Sequence, residues 1–262
     1  MNARLAEVLA DLAAEGDRLD DLVAPLDEQG WRTPTPASGW DVAHQVAHLA
    51  WTDEAAVAAA TDKPAWDALV LAALANPEGF ADDEAARGAA AAPADILARW
   101  RASRERLSAV LGEVPEGTRL PWYGPPMSAT SMATARFMET WAHARDVADG
   151  LGATLPADDS VRHVVHIGVR TRDFSFGSRG MDPPDEEFRV SLTLPGGSVV
   201  EYGPPDAAQT VTGSAYDFAL LVTQRVHRDD TDLEAVGEDA NAWLDVAQAF
   251  AGPSGDGRAP RG

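Results

Sequence analysis

The spacing of apolar residues predicts long amphipathic helices in the first half of the chain. Apolar side chains recur every three or four residues in four stretches, which places them on one face of a helix; these stretches are 2–29, 41–60, 93–111 and 131–151. The segment 63–92 is rich in alanine and acidic residues and is broken by prolines and a glycine, so one or two short helices are expected there. Four principal helices with one long connection favour a helix bundle around a shared core.

The second half has a different pattern. A helix is expected over 158–172, and alternating residues in 188–194 and 198–202 flank a Pro-Gly-Gly turn, which is typical of a β-hairpin. A third short strand is expected at 210–213, followed by helices at 214–226 and 239–250. We therefore predict an α+β protein: a helix-bundle domain over 1–155 and a small α/β domain over 156–262 with a short antiparallel sheet.

Composition narrows the classes of partner. The 262 residues carry a formal net charge of −21, whereas binding to nucleic acid or to an anionic membrane surface requires an excess of Lys and Arg. No apolar run approaches the roughly 20 residues that span a bilayer. These features predict a cytoplasmic protein, a monomer or homodimer, that acts on a small molecule. The chain has no cysteine, so any metal must be bound through nitrogen and oxygen ligands.

Candidate metal chemistry lies in the helix expected at 131–151. Glu139 and His143 are four residues apart, so their side chains point to the same side of that helix. His48, on another predicted helix, is the candidate third ligand, and three protein ligands would leave positions open on the metal, as in catalytic sites. The spacing alone is weak, because most helical Glu and His residues are solvated or internally hydrogen-bonded. A buried carboxylate nevertheless needs a compensating charge.

The segments around these residues resemble a known family. Trp40 to Ala50, the run Gly124-Pro125-Pro126-Met127-Ser128-Ala129 and the run Glu139-Thr140-Trp141-Ala142-His143 are similar to the mycothiol-dependent maleylpyruvate isomerase type of the DinB-like metal-binding superfamily. Two later segments, 217–225 and 247–253, are similar to the second half of an actinobacterial subgroup of metal-binding proteins. The resemblance spans nearly the whole chain.

The resemblance implies a DinB-like four-helix bundle followed by a small α/β domain. It implies that His48, Glu139 and His143 are the metal ligands and that Arg225 is a functionally important arginine of the smaller domain. The implied metal is Zn²⁺, with Ni²⁺ or Fe²⁺ as alternatives, and the implied cosubstrate is mycothiol. His44 stands where relatives are expected to carry an acidic residue. It could be a fourth ligand, or it could support the ligands from outside the coordination sphere.

Other residues have competing interpretations. Trp122 and Tyr123, on a loop rich in proline, are candidates for a substrate-pocket wall, whereas core packing explains other tryptophans equally well. Arg225, expected within the helix 214–226, could orient a substrate carboxylate through its planar guanidinium, or it could be an ordinary solvated or ion-paired arginine.

Three functional hypotheses follow. The leading one is a metal-dependent enzyme, an isomerase or transferase, that uses mycothiol as an external thiol on a small electrophile. The second keeps the metal without the thiol, for hydrolysis or a rearrangement. The third is a metal- or ligand-binding protein without catalysis, which is favoured if His44 completes the coordination sphere.

Overall fold

The computed structural model describes residues 2–252, 254–255 and 257–261. It divides into two compact units at the peptide between Leu155 and Pro156. The architecture is α+β, as predicted, with helices throughout and a small sheet in the second unit. No helix in the described part of the chain combines the length and apolar character needed to cross a bilayer.

Within the described residues, the first unit contains six α-helices. They are α1 (Ala3–Val23), α2 (Val42–Thr61), α3 (Lys63–Ala75), α4 (Phe80–Ala89), α5 (Pro93–Glu113) and α6 (Ala129–Leu151). The bundle is formed by α1, α2, α5 and α6, with α3 and α4 on the long connection that the sequence analysis placed between the second and third principal helices. The first helix ends at Val23, earlier than the expected residue 29.

Local sequence explains where the bundle helices begin. The side chains of Asn2, Asp41 and Ser128 each accept a hydrogen bond from a backbone N–H in the first turn of α1, α2 and α6, respectively. Such caps satisfy donors that have no partner inside the helix. Pro93 occupies the first position of α5, where its missing N–H is harmless.

The core of the bundle surrounds α2. This helix packs against α5, α4 and α6, so most of its residues are buried rather than one stripe alone. The largest fully buried core side chains include Trp100 and Trp141. A buried ion pair between Glu15 and Arg145 connects α1 to α6. The central position of α2 therefore places any polar side chain on it against neighbouring helices.

In the part of the second unit that the structure describes, there are four α-helices and four strands. They are α7 (Arg162–Arg170), α8 (Arg172–Ser178), β1 (Phe188–Thr193), β2 (Val199–Tyr202), β3 (Gln209–Ser214), α9 (Ala215–Val222), β4 (Glu234–Val236) and α10 (Glu238–Val246). The helix expected over 158–172 is a 3-10 turn at Asp159–Val161 followed by α7, and a separate α8 starts after Thr171. The last two helices end at Val222 and Val246, four residues before the expected ends.

The sheet is mixed, so the prediction of an antiparallel sheet was wrong in one respect. The order is β2-β1-β3-β4, and β1 pairs with β2 antiparallel, as the hairpin signal predicted, but with β3 in parallel. After β2 the chain crosses to the edge of β1 opposite β2, and β3 then runs in the same direction as β1. Gly203, in the return, has φ 72°, and a Cβ there would clash with the carbonyl oxygen of Phe188. Glycine is required at that crossing.

Candidate metal centre

Three potential ligands from two helices converge at one point in the first unit. His48 lies on α2, and Glu139 and His143 lie on α6. One potential ligand atom from each of the three lies within 4.8 Å of the others. The Nε2 atoms of His48 and His143 are 3.4 Å and 3.2 Å from the same atom, Oε2 of Glu139. The structure thus brings together the three residues that the sequence analysis selected as ligands.

The three side chains are largely buried, and this affects the ionisation of Glu139. The His48 side chain is 10% exposed, that of His143 12% and that of Glu139 22%. Burial raises the pKa of Glu139, but the hydrogen bonds and charges of His143 and His48 oppose this effect, and the net pKa lies well below its usual range. Glu139 is therefore an ionised carboxylate held between two imidazoles, the donor set expected for Zn²⁺, Ni²⁺ or Fe²⁺.

Hydrogen bonds behind His143 were missed by the sequence analysis. Its Nδ1 lies 2.5 Å from Oε1 of Gln45, a fully buried residue on α2. Gln45 Nε2 donates to Thr35 Oγ1 at 2.8 Å, and that hydroxyl donates to the backbone oxygen of Trp40 at 2.9 Å. The available signal was the position of Gln45, three residues before His48, which puts both on one side of α2.

His44 has a different role in the structure. Its Nδ1 is 2.6 Å from Oδ1 of Asp41, and its backbone N–H donates to that same oxygen at 3.0 Å. The backbone N–H of Asp41 in turn faces His44 Nδ1 at 3.4 Å, so His44 and Asp41 form a reciprocal cap at the start of α2. Among the described residues, the group of three converging potential ligands does not include His44.

The Trp40 ring covers the two histidines. Its centroid is 5.9 Å from that of His143, with the rings nearly parallel at 15°, and 5.2 Å from that of His48. The indole N–H donates to Asp82 Oδ1 on α4 at 2.8 Å. Trp40, one of the tryptophans that the sequence analysis could equally assign to core packing, therefore restricts the orientation of both imidazoles.

Trp122 and Tyr123 belong to a larger aromatic cluster. Its five members contact one another with ring centroids 4.9–6.4 Å apart; they are Trp51, Trp66, Phe80, Trp122 and Tyr123. The cluster reaches the candidate centre through Trp51, whose ring centroid is 5.7 Å from that of His48. Burial, together with the charge of Glu84, raises the pKa of Tyr123 to about 12, so its hydroxyl is neutral at physiological pH.

Arg225 lies in the second unit and is not within a helix. The helix α9 ends at Val222, and Gln224 has φ 61°, a left-handed conformation that ends the helix. The Arg225 backbone N–H donates to the Leu220 oxygen at 2.7 Å, and its Nη1 donates to the Thr223 oxygen at 2.5 Å. Its neighbours Gln224 and Val226 line a cavity of about 310 Å³. The expectation that Arg225 lies inside a helix was wrong, because the chain reverses just before it.

Comparison with known proteins identifies the family. Residues 12–148, just over half of the chain, match the mycothiol maleylpyruvate isomerase N-terminal domain. The chain belongs to this family. Two relatives from strains of Mycobacterium tuberculosis, the uncharacterized proteins MT0041 and Rv0036c, are each 55% identical over 250 residues, or 95% of this chain and 97% of theirs. The resemblance stated from the sequence is confirmed.

Solved structures support the same assignment of fold. The crystal structure of the mycothiol-dependent maleylpyruvate isomerase matches with a TM-score of 0.59 and 18% identity, covering 90% of this chain and 95% of that one. A histidine-to-alanine mutant of that isomerase matches with a TM-score of 0.60 and 18% identity, covering 89% and 96%. At this identity the likeness establishes the α+β fold of the maleylpyruvate isomerase family.

Proposed function

We propose that this protein is a divalent-metal-dependent enzyme that uses mycothiol as an external thiol, either to isomerise a small electrophilic substrate or to transfer the thiol to it. The observation that carries the proposal is the convergence of His48, Glu139 and His143 on one point. Membership of the mycothiol maleylpyruvate isomerase family supports the choice of thiol.

The three residues fit a metal by their chemistry as well as their spacing. Two imidazole nitrogens face one ionised carboxylate oxygen, and His143 has a hydrogen-bond partner on its other ring nitrogen, the usual arrangement of a histidine ligand. Zn²⁺ is the metal best suited to such a set, with Ni²⁺ or Fe²⁺ as alternatives. With His44 engaged by Asp41, the proposed metal keeps open positions for an external ligand.

The absence of cysteine makes an external thiol necessary for any thiol chemistry. A divalent metal bound here would supply that chemistry by holding the thiol sulfur as the reactive thiolate. For isomerisation, the sulfur adds to an activated double bond, the resulting single bond rotates, and expulsion of the same sulfur returns the other isomer. No thiol is consumed in this cycle. In a transfer, the sulfur displaces a leaving group and remains on the product.

Two further roles are part of the proposal. Trp122 and Tyr123 would form an apolar wall for the substrate, which their partial exposure and their link to His48 through Trp51 support. Arg225 would orient a substrate carboxylate through its guanidinium. An Arg225→Lys variant tests this role separately, because it keeps the charge and removes the planar pair of donors. A raised KM for a carboxylate substrate is expected.

The decisive experiment measures metal and thiol binding in turn. Metal content is determined on protein as purified and after zinc loading, for the wild type and for His48→Ala, His143→Ala and His44→Ala variants. Mycothiol and its S-methyl derivative are then titrated calorimetrically into the zinc-loaded and metal-free proteins. We expect one metal per chain, lost in the first two variants and retained in His44→Ala. Mycothiol should bind to the zinc-loaded wild type and His44→Ala proteins but not to metal-free protein.

Each outcome separates the hypotheses. Unchanged metal content in both His48→Ala and His143→Ala would reject the metal centre. If the metal-loaded protein does not bind mycothiol at millimolar concentration, the thiol-dependent hypothesis is rejected and a metal enzyme that works without a thiol is favoured. Equal binding of the S-methyl derivative would mean that the sugar part, not the sulfur, is recognised.

A further inference from the structure

The two histidines of the candidate centre differ in the hydrogen-bond partner of Nδ1, the ring nitrogen that does not face Glu139. His143 Nδ1 faces a buried amide oxygen, Oε1 of Gln45. His48 Nδ1 is buried and has no hydrogen-bond partner among the described residues. Since a histidine binds a metal through one nitrogen and carries its hydrogen on the other, this difference determines which ring is prepared to coordinate.

The hydrogen-bond directions behind His143 can be followed from a fixed acceptor. The Trp40 backbone oxygen can only accept, so the Thr35 hydroxyl 2.9 Å away donates its single hydrogen there. The same hydroxyl then accepts from Gln45 Nε2 at 2.8 Å. This orients the amide with Oε1 toward His143 Nδ1, and because an amide oxygen only accepts, Nδ1 carries the hydrogen. Nε2, which lies 3.2 Å from Glu139 Oε2, is then the nitrogen that would coordinate the metal.

Packing reinforces this orientation. Gln45 is fully buried, so water cannot substitute for its partners, and the Trp40 ring stacks on the His143 ring at 15°. One short segment, Thr35 to Trp40, thus supplies both the fixed acceptor and the covering ring. The backbone N–H of Thr35 also donates to the Trp40 oxygen at 2.8 Å, which closes this segment on itself.

We propose that Gln45, oriented by Thr35 and the Trp40 carbonyl, is a positioning residue that keeps the hydrogen of His143 on Nδ1 and thereby makes His143 the preorganised metal ligand. His48, for which the described residues offer no such partner, is the weaker ligand of the pair. This inference rests on the metal proposed above, but its structural half concerns the metal-free protein and can be tested without any metal.

The first test is nuclear magnetic resonance of protein carrying ¹⁵N-labelled histidine. In metal-free protein at alkaline pH, the His143 signals, assigned by their loss in His143→Ala, are expected to show a hydrogen on Nδ1. In Gln45→Leu this preference should be lost. A wild-type ring with its hydrogen on Nε2 and a bare Nδ1 would overturn the proposal, whatever the protein does with metal.

The second test is zinc affinity, measured by competition with a chelator. Loss of a partner behind a histidine ligand costs about 10–100-fold in affinity, so Gln45→Leu should bind zinc that much more weakly, and Gln45→Glu, which keeps an acceptor oxygen, should recover most of the loss. Thr52→Val is the matched control. It is buried one turn after His48, and its hydroxyl donates to the backbone oxygens of His48 and Leu49.

The results distinguish the two proposals. Equal zinc affinities for Gln45→Leu and Thr52→Val, with both variants folded by circular dichroism, would overturn the positioning role. A wild type that binds no zinc would reject the proposed function, and the tautomer of His143 would still be decided by the first test.

Discussion

Asp53 and Arg136 form a buried ion pair between α2 and α6, with Arg136 Nε 2.9 Å from Asp53 Oδ1 and both side chains at most 3% exposed. Asp53 follows His48 by five residues, and Arg136 precedes Glu139 by three. Burial raises the pKa of Asp53, and the adjacent guanidinium counteracts this. Arg136 Nη2 has no hydrogen-bond partner within the described residues, so Asp53 is the main compensation for that charge.

Removing one member of this pair should destabilise the bundle strongly. We expect Asp53→Leu or Arg136→Met to lower the free energy of unfolding by about 3–5 kcal/mol, because each leaves a buried charge without its partner. The double variant should be much less destabilised than the sum of the two. Urea unfolding measures all three. Arg99→Met, which breaks the exposed pair with Glu54, is the control and should cost at most about 1 kcal/mol; additive effects at Asp53 and Arg136 would contradict this interpretation.

The stability of the metal-free protein should depend on pH through Glu139. Its pKa in the folded state is depressed below the ordinary value of 4.5, so ionised Glu139 favours the folded state above that value. This contribution is lost as the pH falls through the lower, folded-state pKa. Wild type and Glu139→Gln should therefore differ most in unfolding free energy near neutral pH and converge in acid.

The measurement is urea unfolding at a series of pH values with chelator present. Glu116→Gln, at an exposed loop position, is the matched control and should follow the wild type throughout. A gap between wild type and Glu139→Gln that widens in acid would have the wrong sign.

Tyr123 should ionise at a higher pH than an exposed tyrosine. Its pKa is raised to about 12 by burial and by Glu84, compared with about 10 for an exposed tyrosine. Tyrosinate absorbance should therefore show a late component that disappears in Tyr123→Phe and shifts to lower pH in Glu84→Gln, which removes the negative charge. A late component that survives in Tyr123→Phe would assign it to another residue.

Two glycines with similar backbone angles should respond differently to alanine. Gly203 and Gly180 have φ of 72° and 70°, and a side chain in this conformation costs about 1–2 kcal/mol. A Cβ at Gly180 meets nothing within 4 Å, whereas one at Gly203 collides with Phe188 backbone atoms. Gly180→Ala should lose only the conformational cost, and Gly203→Ala clearly more, in denaturant unfolding. Equal losses would show that the return after β2 can shift freely.

The sequence predicted the features that depend on periodicity. Each bundle helix repeats its apolar residues over five or more turns, and the Glu139–His143 spacing is itself a helical repeat, so both could be found without coordinates. His48 was a candidate third ligand from its place on another predicted helix, and the family resemblance supported this choice, although His48 is 91 residues from Glu139 along the chain. Periodicity cannot pair such distant residues.

Other features depend on tertiary contacts that leave no periodic signal. The role of Gln45 requires Thr35 and His143, which come from different parts of the chain. The parallel pairing of β3 depends on which side of β1 the chain returns to, and β4 has only three residues. Arg225 was predicted to lie inside a helix because the residue before it, Gln224, adopts a left-handed conformation that is usually predicted only for glycine.

The position of Trp40 over the histidines has an optical consequence. The rings of Trp40 and Trp51 lie 5.2 Å and 5.7 Å from the His48 ring, and both belong to a chain with eight tryptophans. Paramagnetic ions such as Co²⁺ or Cu²⁺ quench indole fluorescence at such short range. Filling of the centre by these ions would therefore dim the intrinsic emission of the protein, and the Trp40→Phe variant would report how much of that signal comes from the ring above the histidines.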